Sequence, residues 1–192
     1  MNKMILTFIV SVILLTSSCA YNENGNMPKT KSYPIFENKD EFNPDTIQYF
    51  TKPITILSGL GSPSISMRLY YNMDMKDPEL SYYFIKILSI GDRPIRYSEV
   101  ILLTGEDVSV NDNGNNNVNL EGTMFIAYAT FLIDDETILK IGKSENDKIR
   151  LIADYKYDKK FSKKDITIFT QFAEFIRTKS DSIHINKNIT DK

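Results

Sequence analysis

Ser64–Tyr71 reads SISMRLYY, with Ile65, Met67, Leu69 and Tyr71 at alternate positions and Ser66, Arg68 and Tyr70 between them. In an extended chain successive side chains point to opposite faces, so this period of two predicts a strand with one apolar and one mixed face. Just upstream, Ser58-Gly59-Leu60-Gly61-Ser62-Pro63 is turn material, and before it Pro53–Leu57 (PITIL) is short, apolar and β-branched, as a further strand would be. Downstream, Leu80–Ile90 (LSYYFIKILSI) is an aromatic and β-branched run closed by Gly91-Asp92. Ile95–Thr104 reads as the next strand, Glu106–Val110 as a short edge strand, and Asn111–Asn117 (NDNGNNN) as a low-complexity loop tip. Leu120–Ile133 is apolar at both sets of alternate positions, which predicts a strand covered on both sides. Lys148–Tyr157 alternates again.

The period changes near the end. Over Lys163–Arg177, Ile166, Ile168, Phe169, Phe172, Ala173, Phe175 and Ile176 share one half of a helical wheel. Ser162 is a good N-cap and Asp165, three residues on, completes a capping-box-like pair. This pattern predicts a helix laid on a sheet; a helix lying on a membrane surface is the alternative. Asp134 ahead of DETILK, with Gly142 beyond, predicts a shorter helical stretch. The expected fold is therefore α+β: an antiparallel sheet or sandwich of about six to eight strands, packed by a C-terminal amphipathic helix at about 163–177.

A length of 192 residues with 42% hydrophobic content suits one domain with its own core. The net charge of −2 hides an asymmetry. Residues 20–136 hold 9 Lys/Arg against 17 Asp/Glu, a balance of −8, whereas residues 137–192 hold 13 against 8, a balance of +5. The basic part could face anionic headgroups or an acidic partner, or be simply a solvated face. Acidity overall argues against a nucleic-acid partner.

Met1-Asn2-Lys3 carries one positive side chain, Met4–Leu15 (MILTFIVSVILL) is mostly apolar, and the small residues Thr16-Ser17-Ser18 precede Cys19. Charge, apolar stretch and small residues are the parts of an export signal. The apolar run is shorter than the ~20 residues needed to span a bilayer. The stretch LLTSSCA resembles a bacterial lipoprotein signal with its lipobox, although Thr16 stands where that class usually has Leu. The resemblance implies removal of residues 1–18, lipidation of Cys19, and attachment to a membrane, in particular the outer membrane because Ala20 follows the cysteine. Cys19 is the single cysteine, and lipidation would account for an otherwise unpaired thiol in an exported chain. Secretion with cleavage after Ser18 or Ala20 is the competing reading. The expected organisation is a signal at 1–18, a lipidated flexible tether at 19–47 on which Tyr33, Ile35 and Phe36 could dock, one β-rich domain at 48–178, and a polar disordered tail at 179–192.

Chemistry-bearing patterns are sparse. His184, the sole histidine, falls in the expected tail, and the sole cysteine is assigned to lipid, which argues against His-dependent nucleophilic catalysis and His/Cys zinc sites. Gly59-Leu60-Gly61 lacks the third glycine and following helix of a nucleotide loop. Glu106-Asp107 and Asp134-Asp135-Glu136 are paired acids that a glycoside hydrolase could use, but capping explains the second group. Asp107, Asp112 and Glu121 could form a loose calcium site, against the plainer reading of a solvated hairpin loop. Tyr70, Tyr71, Tyr82 and Tyr83, with Phe84, concentrate aromatic rings on two neighbouring strands, as a ligand or partner contact on exposed rings or as core packing. The expectation is a non-enzymatic, lipid-anchored envelope module with no cofactor and no metal, binding an envelope protein or polymer. A periplasmic inhibitor or immunity-type lipoprotein, and an atypical carboxylate-dependent hydrolase, are the alternatives.

Overall fold

The computed structural model describes residues 33–39, 43–59, 61–112, 114–141, 143 and 146–190, without the side chains of Asp112 and residues 183–190. The expected signal, Cys19 and most of the expected tether lie outside these residues. In chain order the elements are β1 (Ile35–Lys39), β2 (Thr46–Thr51), β3 (Ile54–Leu57), β4 (Ser64–Asp74), β5 (Tyr82–Gly91), β6 (Glu99–Thr104), β7 (Asp107–Asp112), β8 (Asn115–Glu121), β9 (Met124–Ile133), α1 (Asp135–Lys140), β10 (Lys148–Ile152), β11 (Lys156–Lys160) and α2 (Lys163–Thr190). A single 3-10 turn at Pro78–Leu80 joins β4 to β5. The architecture is α+β, mostly antiparallel sheet with a C-terminal helix packed on it.

The strands form two sheets rather than one. The larger has the order β1-β2-β4-β5-β9-β8, with β3 also paired to β4, and the smaller the order β11-β10-β6-β7. Every pairing is antiparallel. β2 and β3 lie end to end along one side of β4, β2 against Tyr70–Asp74 and β3 against Ile65–Met67. Lys52-Pro53 separates them; Pro53 has no N–H to continue a ladder, so the chain breaks pairing there and resumes at Ile54.

The alternation of β4 sorts as its sequence predicts: Ile65, Met67, Leu69 and Tyr71 are buried on the inner face of the large sheet. Their cross-strand neighbours Ile85, Ile87, Tyr83, Ala129 and Phe131 join the same cluster, together with Val100, Leu102, Ile149 and Leu151 of the small sheet and Phe169, Phe172 and Ile176 of α2. One core thus serves both sheets and the helix. Tyr83 meets Phe172 edge-on at 6.2 Å, Tyr49 meets Phe175 edge-on at 5.2 Å, and Phe161 lies 5.1 Å from Phe169. Burying a ring of this size is worth roughly 1.5–3 kcal/mol, so these contacts outweigh any single surface interaction. They settle the orientation of α2: its apolar face is in the core, not on a membrane.

Both predicted caps are made. Asp165 N donates to Ser162 Oγ at 3.2 Å, and Ser162 N donates back to Asp165 Oδ2 at 3.0 Å. Burial alone would raise the Asp165 carboxyl, but hydrogen bonds from Ser162 N, Ser162 Oγ and Lys159 hold it below the ordinary carboxylate value. Asp134 caps α1 by accepting from Thr137 N at 2.6 Å and Thr137 Oγ1 at 2.7 Å.

Several expectations need correction. The tether expected over 19–47 contains β1 and the start of β2; Tyr33 also docks, its N–H donating to Gln171 Oε1 at 3.0 Å and its ring lying under Lys52. α2 continues past Arg177 to Thr190, because residues 178–190 contain neither Gly nor Pro to stop it. Leu120–Ile133 is two strands, β8 and β9, joined at Gly122, whose φ of 64° permits the tight reversal. Lys148–Tyr157 likewise divides into β10 and β11. The Asn-rich stretch is no loose tip: it carries the chain from β7 in the small sheet to β8 in the large one. There Asn116 imitates a strand partner, accepting from Tyr97 N at 2.9 Å and donating to Tyr97 O at 2.8 Å. Gly114 lies so near Phe131 that a Cβ there would collide with the edge of its ring.

Candidate functional site

The four tyrosines expected to form a contact surface divide by parity. Tyr71 and Tyr83 pair across β4 and β5 with ring centres 4.5 Å apart and are buried beneath α2, so they are core residues and not ligand contacts. Burial, with the nearby charge of Asp135 and the Tyr71 phenol, pushes the Tyr83 phenol upward. Tyr70 and Tyr82 lie on the opposite, outer face. The sequence pattern could not say which pair would be which, because both sets of positions carry aromatic rings.

The outer face is ordered in rows by the strand register. Phe36, Phe50, Tyr70, Phe84 and Leu132 stand opposite one another on β1, β2, β4, β5 and β9. Their rings stack in sequence at 5.5, 5.1 and 4.9 Å between centres, and Tyr82 leans on Phe84 at 5.9 Å. Phe50, Tyr70 and Phe84 form a second apolar cluster, separate from the main core. These three rings are buried, and beside them on this face Tyr82 at 43% and Leu132 at 64% are exposed.

Polar rows flank the rings. On one side Gln48 Nε2 donates to Asn72 Oδ1 at 2.9 Å, and Asn72 Nδ2 donates to Tyr82 Oη at 2.7 Å, giving a fixed line of amides and a phenol. On the other side Arg68 and Lys86 are cross-strand neighbours, Arg68 over the Phe50 ring at 5.7 Å and Lys86 over the Tyr128 ring at 5.1 Å. Among the described residues neither cation has a carboxylate ion pair. The exposed Tyr82 and Leu132, with amides on one flank and cations on the other, suit a ligand with an apolar face and polar or anionic edges. Phe50, Gln48 and Leu132 were missing from the sequence reading; only the pairing of strands far apart in the chain reveals them.

The carboxylates are placed differently. Asp107, Asp134, Glu136 and Lys140 line a shallow cleft of about 320 Å³ between β7 and α1. Lys140 Nζ lies 3.0 Å from Asp107 and 2.8 Å from Glu136, while Asp134 is engaged by Thr137. Asp135, raised by burial and by the charge of Asp134, is not on the cleft wall. Paired acid catalysis needs one protonated and one free carboxyl facing the same bond. Two carboxylates sharing one ammonium, with the third consumed as a cap, do not supply that.

The other motifs also resolve locally. Ser62 N donates to Gly59 O at 3.4 Å to close a turn, and a strand, not a helix, follows Gly61. Asp107 and Asp112 stand at opposite ends of β7, about 17 Å apart along an extended chain, and Glu121 ends β8 in the other sheet, so the three do not converge as a calcium site. Among the described residues no group of three His, Cys, Asp or Glu side chains could hold a metal ion. His184 falls within the helical backbone of α2. No described helix is long and apolar enough to cross a membrane. No protein-family model, curated protein or solved structure matches the chain.

Proposed function

We propose that this chain is a lipid-anchored bacterial cell-envelope protein, tethered through Cys19, whose domain binds an envelope protein or polymer without catalysing a reaction. The leader Met1–Ser18 with its lipobox-like LLTSSCA supports the anchor. The observation that carries the binding role is the outer face of the large sheet, where the exposed Tyr82 and Leu132 edge a row of stacked rings from four strands, flanked by a hydrogen-bonded amide line and by two cations that make no carboxylate ion pair among the described residues. Exposed Tyr82 and Leu132 supply the apolar contact, Asn72 and Gln48 directional hydrogen bonds, and Arg68 and Lys86 charge.

Two measurements test this reading. Cys19→Ala should abolish incorporation of labelled fatty acid and release the protein to the soluble fraction; undiminished labelling would end the anchor assignment. A photocrosslinking residue placed at Tyr82 or at Leu132 in intact cells should give the same discrete adduct, lost when Arg68 and Lys86 become Glu. If position 139 on α1 gave that adduct equally well, the outer face would not be the binding surface.

A further inference from the structure

The small sheet also has an outer face, and its register separates two kinds of side chain. One row across it is Val110, Ile101, Arg150, Asp158; the next is Val108, Leu103, Lys148, Lys160. The β6–β7 half is apolar, with Val108 60% and Val110 55% exposed and Ile101 and Leu103 half-buried beside them. The β10–β11 half is basic. Lys148 and Lys160 stand directly opposite each other, an arrangement that repels in isolation. Among the described residues neither has a carboxylate ion pair, and Lys160 Nζ finds only the Asn146 side-chain oxygen at 3.2 Å. One carboxylate stands against three cations in these rows: Asp158 is held by Arg150 through two bonds of 2.6 and 2.7 Å and also feels the charge of Lys148, so the rows remain net positive.

We propose that this face is a docking surface for an anionic lipid bilayer, with the β7 valines entering the interface and Lys148, Lys160 and Arg150 meeting the headgroups. Two features point to that occupant. The face is a sheet surface on which apolar side chains adjoin basic ones, the arrangement by which peripheral proteins combine apolar burial with attraction to anionic lipid. Among the described residues neither lysine makes a carboxylate ion pair, and long basic side chains can reach from an apolar contact up to the headgroup level. The proposal rests on the anchor at Cys19: the 14 residues from Cys19 to Tyr33 span at most about 50 Å, so a tethered domain stays within reach of the bilayer. The two sheets share one core between them, so this docking turns the ring row of the large sheet away from the membrane.

The test uses the full lipoprotein carrying Val108→Cys, reconstituted into vesicles of phosphatidylcholine alone or mixed with phosphatidylglycerol, and labelled with an impermeant maleimide. Because Cys19 is the only native cysteine, a lipidated chain offers the dye the introduced thiol alone. Labelling should be several-fold slower on the anionic vesicles. Lys148→Glu with Lys160→Glu should restore the rate, and Tyr82→Cys should label alike on both. Equal rates for Val108→Cys on the two vesicle types would overturn the proposal. So would protection that tracks protein density rather than lipid charge, which would mean that β7 pairs with a second copy. A protein that fails to float with vesicles and whose Cys19 itself reacts would overturn the anchor, a result distinct from equal labelling of a chain that floats.

Discussion

Tyr70 and Tyr71 are neighbours on β4, as Tyr82 and Tyr83 are on β5, yet the two members of each pair serve different halves of the molecule. Tyr71 and Tyr83 lie in the main core against α2, where a ring is worth its full burial and where burial makes the Tyr83 phenol resist ionisation. Tyr70 and Tyr82 belong to the outer ring row, where Tyr82 remains 43% exposed and hydrogen-bonds to Asn72. The lesson is that one side of this sheet packs into the main core beneath α2, while the other carries a second, smaller buried cluster edged by the exposed Tyr82 and Leu132. Residue type does not mark the difference; the pleat does.

The comparison breaks if the inner face is not what stabilises the domain. Phe172→Ala, which removes the ring that Tyr83 packs against, should cost ~3–5 kcal/mol in chemical denaturation. A loss of well under 1 kcal/mol would show that α2 is not part of the core.

Alkaline titration examines the inner tyrosines next. Burial, then the charge of Glu37, pushes the Tyr49 phenol up from 10.0 to about 12, and burial raises that of Tyr97 to about 12 against a lowering by Ser89. Tyr83 is raised as well. The unfolded chain ionises near 10 while the folded chain holds these protons, so their contribution is complete below pH 10 and is lost as the pH climbs through the folded values. Part of the tyrosinate absorbance should therefore appear only together with the loss of circular dichroism. Complete titration of all tyrosines in a chain that stays folded would contradict the buried assignment.

Gly114→Ala probes the crossing between the sheets. A methyl group there meets the buried Phe131 ring, and the strain should cost about 1–3 kcal/mol in thermal or chemical denaturation. A smaller loss, ~0.5–2 kcal/mol, is expected for Ser162→Ala, which removes the hydroxyl that caps α2. The smallest effect sharpens the contrast most: Tyr82→Ala should change stability by no more than about 0.5 kcal/mol while abolishing crosslinking from a probe at Leu132. If Tyr82→Ala destabilised the domain as much as Phe172→Ala, the outer row would have to be counted as core.

What the sequence determined by itself was local. The period of two over Ser64–Tyr71, the helical wheel of Lys163–Arg177, and the caps at Ser162 and Asp134 were all legible, because each depends on residues within a few positions of one another. The edge position of β7 and the docking of Tyr33 were expected too, but their partners, β6 on one side alone and Gln171 far along the chain, are tertiary facts. The tertiary structure decided the division into two sheets, the entry of residues 35–51 into the larger one, and the assembly of Phe36, Phe50, Tyr70, Phe84 and Leu132 into a row. Those outcomes depend on register between strands as far apart in the chain as Glu99 and Ile152 or Tyr83 and Ile133, and shifting a strand by one residue exchanges its two faces. Where both faces of a strand carry aromatic rings, composition cannot choose between them; the fit of Phe172 and Phe175 of α2 against Tyr83 and Tyr49 can.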